Sequence, residues 1–476
     1  MRQMSTLPVA FRADDGWTGP LAWGQLAIWD VFQWLPPDDA SLNLLTFCDV
    51  PAGRTLGDVA TALRRLVERH DALRTLFTAP SGAPPRQTVE PYGHLDVALV
   101  EAGGRPRDDV VEPLAKRLRT PAFDMATELP LRAAVVTEAG TPVHVVLVLN
   151  HMAVDGWSME IVRKDLTLLL TGTGELPPRA LQPRGRVSYE ATDEARRRAQ
   201  LALDYWAGAV REMPRVLLAD DTGPTSPQWA RITSQALSLA VHELASRHRM
   251  SLSMVVQAIT GLLLGFYSHE SEVGLRLIVA TRFTPETREY VGAFNQNALL
   301  RLSLGSGRLA EFLSRARAAS MRAYVHCECD PRLLKETVEA GCAERGFESG
   351  AYCFLNDVGA VEKTRSDGRG GIGGGHRDSE IAGGLNQIIE AARQRTTITA
   401  FDRDDRQMEA KFFLFLHTLA DEARLTLSAD GRFLAPGSAS TFLADFEWLA
   451  VEAVSGDRTL PELTAAWVRR SEQRAP

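Results

Sequence analysis

The sequence predicts an α/β chain folded as two lobes, and three observations predict it. At 476 residues the chain is too long for one ordinary hydrophobic core and fits two or three domains of roughly 100–200 residues. Both halves mix helical periodicity with short apolar, β-branched runs. Between them, residues 171–186 read TGTGELPPRALQPRGR, whose glycines and prolines stop regular structure and mark a linker. The lobes are expected at 1–180 and 181–476.

In the first half, residues 42–50 (LNLLTFCDV) read as a strand. A helix is expected over 55–69, because Leu56, Val59, Ala60, Leu63, Leu66 and Val67 recur at three-and-four spacing and form one buried stripe. The run RHDALRTLF, 69–77, leads into extended structure. Residues 143–149 (VHVVLVL) have the composition of a buried strand. That strand ends in the polar cluster Asn150–His151 and Asp155–Gly156, and a helical pattern follows over 157–170. Strand, polar loop and helix make a good setting for a site, since rigid elements hold side chains that the loop exposes. In the second half, helices are expected over 190–211 and 253–267, a strand over 273–281, and extended runs over 351–355 and 412–416. The glycine-rich stretch SDGRGGIGGGHRDSE from Ser366 reads as a loop. Its Gly374, Gly375 and Ser379 echo the attachment site of a carrier protein only faintly, with the wrong spacing and no four-helix context. No Lys–Ser/Thr follows, so it is not a phosphate loop either.

A net charge of -7 gives no bulk attraction for nucleic acid or an anionic membrane. The opening MRQMSTLPVAFRADDGW has no apolar core of signal-peptide length, and the longest apolar run, near 259–266, is far short of a membrane span. A cytoplasmic monomer with no membrane or nucleic-acid partner is expected. Five cysteines form no disulfide framework. Cys327 and Cys329 sit beside His326, but Cys342 and Cys353 do not fall at finger-like spacing, so no metal is expected.

The strongest local signal is NHMAVDGWS, residues 150–158. A histidine with an ordinary pKa near 6.5 can accept a proton at neutral pH, so His151 is a candidate base; it is equally readable as a core histidine at a strand end. Asp155 is a candidate cap of the following helix. Gly156, with no Cβ, would let the backbone approach a substrate, and its N–H could hold an oxyanion. Trp157 reads as packing or as a substrate wall, and Ser158, which follows it, as a further candidate for lining a substrate.

Several segments, in order, resemble the condensation-domain superfamily of nonribosomal peptide synthesis. LAWGQLAIW (21–29), with Gln25 and Trp29, resembles the opening helix, and RHDALRTLF resembles the RHExLRTxF element. PAFDMATELPLRA (121–133) resembles the segment before the active-site strand, and NHMAVDGWS resembles HHxxxDGxS. LDYWAGAVREMP (203–214) and VATRFTPETREYVGAFNQNALLRL (279–302) resemble later elements; AYVHCECDPRLL from Ala323 and CFLNDVG from Cys353 are weaker echoes. The resemblance covers nearly the whole chain. It implies two lobes like chloramphenicol acetyltransferase, two-layer α/β sandwiches in a V-shaped pseudo-dimer with a central tunnel. It implies catalysis by His151 and a structural Asp155 paired with an arginine, Arg282 by motif position, with Arg74 as second candidate or scaffold contact. Asn356 is placed near the tunnel. One departure stands out: Asn150 occupies the place of the family's first histidine, and an amide cannot take up a proton.

The resemblance implies a condensation enzyme joining a carrier-bound acyl thioester to an amine or alcohol. No bound cofactor is expected; the phosphopantetheine arm of an acyl or peptidyl carrier protein, acting in trans, brings the donor, and the acceptor is a small molecule or carrier-bound. With no activating or tethering segment in 476 residues, the donor is expected on a separate protein. The arginine-rich stretches 195–198 and 315–322 are candidate docking surfaces for an acidic carrier. Competing readings are a coenzyme A-dependent acyltransferase, an epimerising relative, and a non-catalytic module that recruits partners to a carrier assembly.

Overall fold

The structure, a computed structural model, describes residues 5–13, 15–214, 218, 226–349, 352–359, 379–402, 410–435 and 437–474. Gly374, Gly375 and most of the glycine-rich stretch lie outside the described residues. The chain forms two compact units, one of residues 1–197 with 280–296, the other of residues 198–279 with 297–476. The first unit thus runs past residue 180 and takes back a short segment from the second half.

In the first unit, the strands are β1 (Ser5–Arg12), β2 (Trp17–Pro20), β3 (Asn43–Asp49), β4 (Thr75–Thr78), β5 (Arg86–Val89), β6 (Tyr92–Glu101), β7 (Leu131–Glu138) and β8 (Thr141–Asn150). The helices are α1 (Trp23–Trp34), α2 (Leu56–Arg69), α3 (Arg107–Arg119), α4 (Gly156–Thr171) and α5 (Pro183–Glu190). A five-stranded sheet runs β1-β6-β7-β8-β3, and a small sheet runs β2-β5-β4. β8 is covered on both faces. Val145, Leu147 and Leu149 join the core with Leu63 and Leu66 of α2 and Val162 and Leu166 of α4. Val146 joins Val110 and Leu114 of α3. Burial on both sides is why β8 reads as a continuous apolar run instead of an alternating one. α2 starts where its stripe predicts, with Thr55 accepting from the Asp58 N–H and Asp58 answering in a capping box.

The second unit holds β9 (Pro227–Ser234), β10 (Glu272–Ala280), β11 (Asn295–Ser303), β12 (Tyr352–Asp357), β13 (Thr397–Phe401), β14 (Ala410–Leu419) and β15 (Ala423–Asp430). They form one sheet in the order β11-β10-β12-β14-β15-β9-β13. α7 (Gln235–His248), α8 (Leu252–Ser268) and the helix Ser438–Ser455 pack their apolar residues against it, so this unit is also α/β. No single described helix is long and apolar enough to cross a membrane; α7 and α8 pass such a test only as a pair bent by 104°, and α8 is almost wholly core.

The helix expected over 190–211 forms as a single helix from Asp193 to Glu212, and the end of the expected linker opens a separate helix before it. α5 begins earlier, with Pro183 in its first turn, and ends when the Ala191 N–H bonds the carbonyls of Tyr189 and Val187. α6 (Asp193–Glu212) then starts afresh.

Candidate active site

β8 ends at Asn150, and the turn 150–154 carries the chain into α4. The turn is held from three sides. The Asn150 N–H donates to the Pro130 carbonyl at 3.0 Å and the His151 N–H to the Leu42 carbonyl at 3.1 Å. Within the turn, Asn150 Oδ1 accepts from the Met152 N–H at 2.8 Å. His151 keeps part of its surface open, yet its Nδ1 is buried with no hydrogen-bond partner among the described residues. Desolvation pushes the imidazole pKa below its ordinary value, opposed by backbone carbonyls and by the charge of Asp155. The lowered pKa favours the neutral ring near pH 7.

Asp155 is fully buried and caps α4, accepting from the Ser158 N–H at 2.8 Å. Its two oxygens accept from Arg282, Oδ2 from Nη1 at 2.7 Å and Oδ1 from Nη2 at 2.9 Å. This fork matches both oxygens of the carboxylate, the strongest geometry for such a pair. A third donor, the Phe294 N–H, reaches Oδ2 at 3.1 Å. Arg282 Nη2 also donates to Ser158 Oγ at 2.7 Å, and that hydroxyl donates to the Gly292 carbonyl at 2.8 Å while accepting its N–H at 3.0 Å. Trp157 Nε1 donates to the Arg288 carbonyl at 2.9 Å.

The motif and residues 282–294 are thus stitched together within the first unit, and this is why that unit takes back the segment 280–296. Gly24 supports the clasp from α1: a Cβ there would lie 2.4 Å from the Ala293 carbonyl oxygen, so only glycine fits. Removing either Asp155 or Arg282 would strand a buried charge at ~3–5 kcal/mol.

The other expected site residues fall as follows. Arg74 is buried and bonded to Asp71 at 2.5 Å and to the Glu90 carbonyl at 2.6 Å; it is a scaffold contact of the RHDALRTLF element and not the partner of Asp155. Gly156 is exposed at the first position of α4, and a Cβ there would meet nothing within 4 Å; the protein's own packing does not demand glycine. Asn356 lies on β12, in the second unit. The backbone groups of Gly292 and Phe294 were not among the expected site residues. Only the resemblance of the segment around Arg282 pointed to them, because backbone donors leave no side-chain signature.

Cys327 and Cys329 are buried, and desolvation pushes the Cys329 thiol up to about 12 and the Cys327 thiol up as well. Among the described residues no group of three His, Cys, Asp or Glu could hold a metal ion.

Fold and motif together define a class, an α/β acyltransferase with a histidine at a strand end beside an arginine-locked aspartate. A family model described as Condensation domain matches residues 38–342, and the chain belongs to that family, whose members form amide and ester bonds. The chain is 28% identical over 333 residues to the isonitrile lipopeptide synthase of Mycobacterium tuberculosis, covering 64% of this chain and 13% of that protein. It is 27% identical over 317 residues to the phosphinothricin tripeptide synthetase PhsC of Streptomyces viridochromogenes, covering 62% and 28%. It therefore spans only a small part of the curated relatives it matches. Among solved structures, SgcC5 from Streptomyces globisporus aligns with a TM-score of 0.65 at 19% identity, covering 92% of this chain and 99% of that one. A structure on condensation domain-mediated chain release from the enacyloxin polyketide synthase aligns with a TM-score of 0.67 at 20% identity, covering 92% and 82%.

Proposed function

We propose that this chain joins an acyl group, delivered as a thioester on a separate carrier protein, to an amine or alcohol acceptor, with His151 taking the acceptor's proton. The observation that carries the reading is the division of labour in the motif: Asp155 is committed to Arg282, Ser158 and Phe294, while the partly open His151 ring is bonded to no side chain among the described residues. The acceptor N–H or O–H gives its proton to Nε2 as its nitrogen or oxygen bonds the thioester carbonyl carbon. The tetrahedral centre then expels the thiolate, which takes the proton back from the imidazolium, so charge and protons balance. A well-placed base of this kind contributes typically ~10²–10⁴-fold. Gly156 supports the same reading. Its N–H lies at the N-terminus of α4, where the helix end favours negative charge, and the open space beside its Cα leaves room for a substrate oxygen. We place Trp157 as a buttress, since its indole is spent on the Arg288 carbonyl.

Donor choice tests the reading. Carrier-bound donor is expected to outcompete the same acyl group on a small thiol, chiefly through apparent affinity, and the advantage is expected to shrink as salt screens charge. Equal use of both at every ionic strength would indicate a small-molecule or coenzyme A acyltransferase. One feature favours a second reading, a non-catalytic recruiting module, and that is Asn150 in place of the family's histidine. Stable capture of a tailoring enzyme with no turnover would support it.

A further inference from the structure

The helix α5, at the end of the stretch that reads as linker, is tied down at both ends. Its N-cap residue Gln182 accepts from the Asp71 N–H at 2.9 Å, within the RHDALRTLF element. At the other end Glu190 Oε2 accepts from the Trp23 N–H at 3.0 Å, at the start of α1. Between these ties stands Arg186, buried like Glu190, whose Nε donates to Glu190 Oε1 at 2.7 Å.

The Arg186 guanidinium lies over the Phe294 ring, 4.4 Å from its centroid. Arg282 stands 5.3 Å from the same centroid, and the Tyr290 ring meets it edge-on at 5.1 Å. The Tyr290 hydroxyl is buried with no hydrogen-bond partner among the described residues, so packing and cations hold this pair of rings. A desolvated guanidinium is drawn to a ring face more strongly than an exposed one, and Arg186 is only 2% exposed. The backbone of Phe294 belongs to the clasp: its N–H donates to Asp155 Oδ2 at 3.1 Å, and its carbonyl accepts from Thr281 Oγ1 at 2.7 Å.

We propose that Arg186 is a positioning residue for the reaction: laid on the Phe294 ring from α5, it keeps the Phe294 N–H on Asp155, and through Asp155 it steadies the turn that carries His151. The role rests on the reading of His151 as the base. Arg282 acts on Asp155 directly, whereas Arg186 acts by way of the ring. Without the cation at 186 the ring can tilt, and a small rotation takes the N–H out of line with Oδ2. A side chain of the linker helix thereby sets the geometry of a site it does not enter.

The experiment uses the full chain. Alanine labelled with 13C at its carbonyl and phenylalanine labelled with 15N single out the four Ala–Phe pairs of the sequence by NMR, and F294L identifies one signal by removing it. The Phe294 amide is read in wild type and R186Q, and kcat and KM are measured with carrier-bound donor in wild type, R186Q, F294L and the double variant. R186Q keeps a donor for Glu190 and removes the cation. The Phe294 amide proton is expected to move upfield in R186Q as its bond to the carboxylate weakens. Turnover is expected to fall ~10-fold in kcat with KM held within ~2-fold, the pattern of a displaced catalytic group. In the F294L background the same substitution is expected to change kcat by less than ~2-fold, because the ring it acts through is gone. A merely structural role would lower the melting temperature and leave both the Phe294 signal and the kcat of the folded enzyme in place. An unmoved signal, an unchanged kcat, or an effect of equal size in F294L overturns the proposal. If R186Q does not fold, R186Q/E190Q, which removes both charges together and keeps an acceptor for the Trp23 N–H, is read by the same criteria. Activity in folded His151→Ala would overturn the reading of His151 instead, since the Phe294 signal is read with no substrate present.

Discussion

His70 and His151 lie in the same unit, each with an aspartate and an arginine close by. Asp165 accepts from His70 Nε2 at 2.9 Å and from Arg69 Nε at 2.8 Å on one and the same oxygen. Burial pushes His70 below its ordinary pKa, and bonds from His70 and Arg69 hold Asp165 below the usual carboxylate range against its own desolvation. That trio is a neutral imidazole donating Nε2–H to a carboxylate, with the ring almost wholly enclosed. At the second site the carboxylate turns away from the imidazole and gives both oxygens to Arg282. The residue types are the same, and the commitment of the carboxylate separates them. Where the aspartate holds the histidine, the ring is mortar; where it holds the arginine, the carboxylate is spent on the scaffold and leaves the ring to its own turn.

Breaking the Asp155–Arg282 pair is expected to have the largest effect. Arg282→Met leaves Asp155 buried and unpaired, costing ~3–5 kcal/mol in chemical denaturation and removing activity with it. Arg69→Met at the other site is expected to cost less, since Arg69 is partly solvated and His70 still donates to Asp165. Adding Asp155→Asn to Arg282→Met is expected to recover part of the loss, a coupling that a double-mutant cycle reads directly.

The pH response sharpens the contrast next. Both histidines are depressed in the folded state, so the unfolded chain binds protons first as pH falls. Their contribution to stability is intact above the unfolded pKa of about 6.5 and is lost as pH drops from there through the folded values, at up to ~1.4 kcal/mol per pH unit for each ring. His70→Gln is expected to flatten this slope while leaving the acid limb of kcat/KM in place; that limb follows His151 and is expected below pH 6.5. The smallest effect is expected from Trp157→Phe, which removes the bond to the Arg288 carbonyl and part of the ring's packing against the core. A loss of ~0.5–1.5 kcal/mol in melting experiments, with turnover changed little, is the expected outcome.

How much of this was legible in the sequence follows the same divide. β8 and α4 were readable because burial on both faces makes a strand uniformly apolar and because Asp155 stands where a helix cap belongs. α5 was not, since it begins at Pro183 in a stretch whose glycines and prolines read as linker, where a proline in the first turn opens a helix instead of stopping one. The partner of Asp155 was the harder question. Arg74 and Arg282 are both buried arginines, and local spacing cannot choose between residues 81 and 127 positions away. Segment order alone favoured Arg282, and the fork with Asp155 decides it. The contacts through Gly292 and Phe294 and the Asn150 bond to Met152 involve backbone groups, which every residue carries, so no pattern of side chains announces them.

The account turns on which of the two histidines does chemistry. His151→Ala and His70→Gln, each checked for folding by circular dichroism, are given carrier-bound donor and an amine acceptor, and product is followed by intact-protein mass spectrometry. The account predicts that His151→Ala loses at least ~10²-fold in turnover with its fold intact, while folded His70→Gln turns over near the wild-type rate at reduced stability. Near wild-type turnover in folded His151→Ala would contradict it.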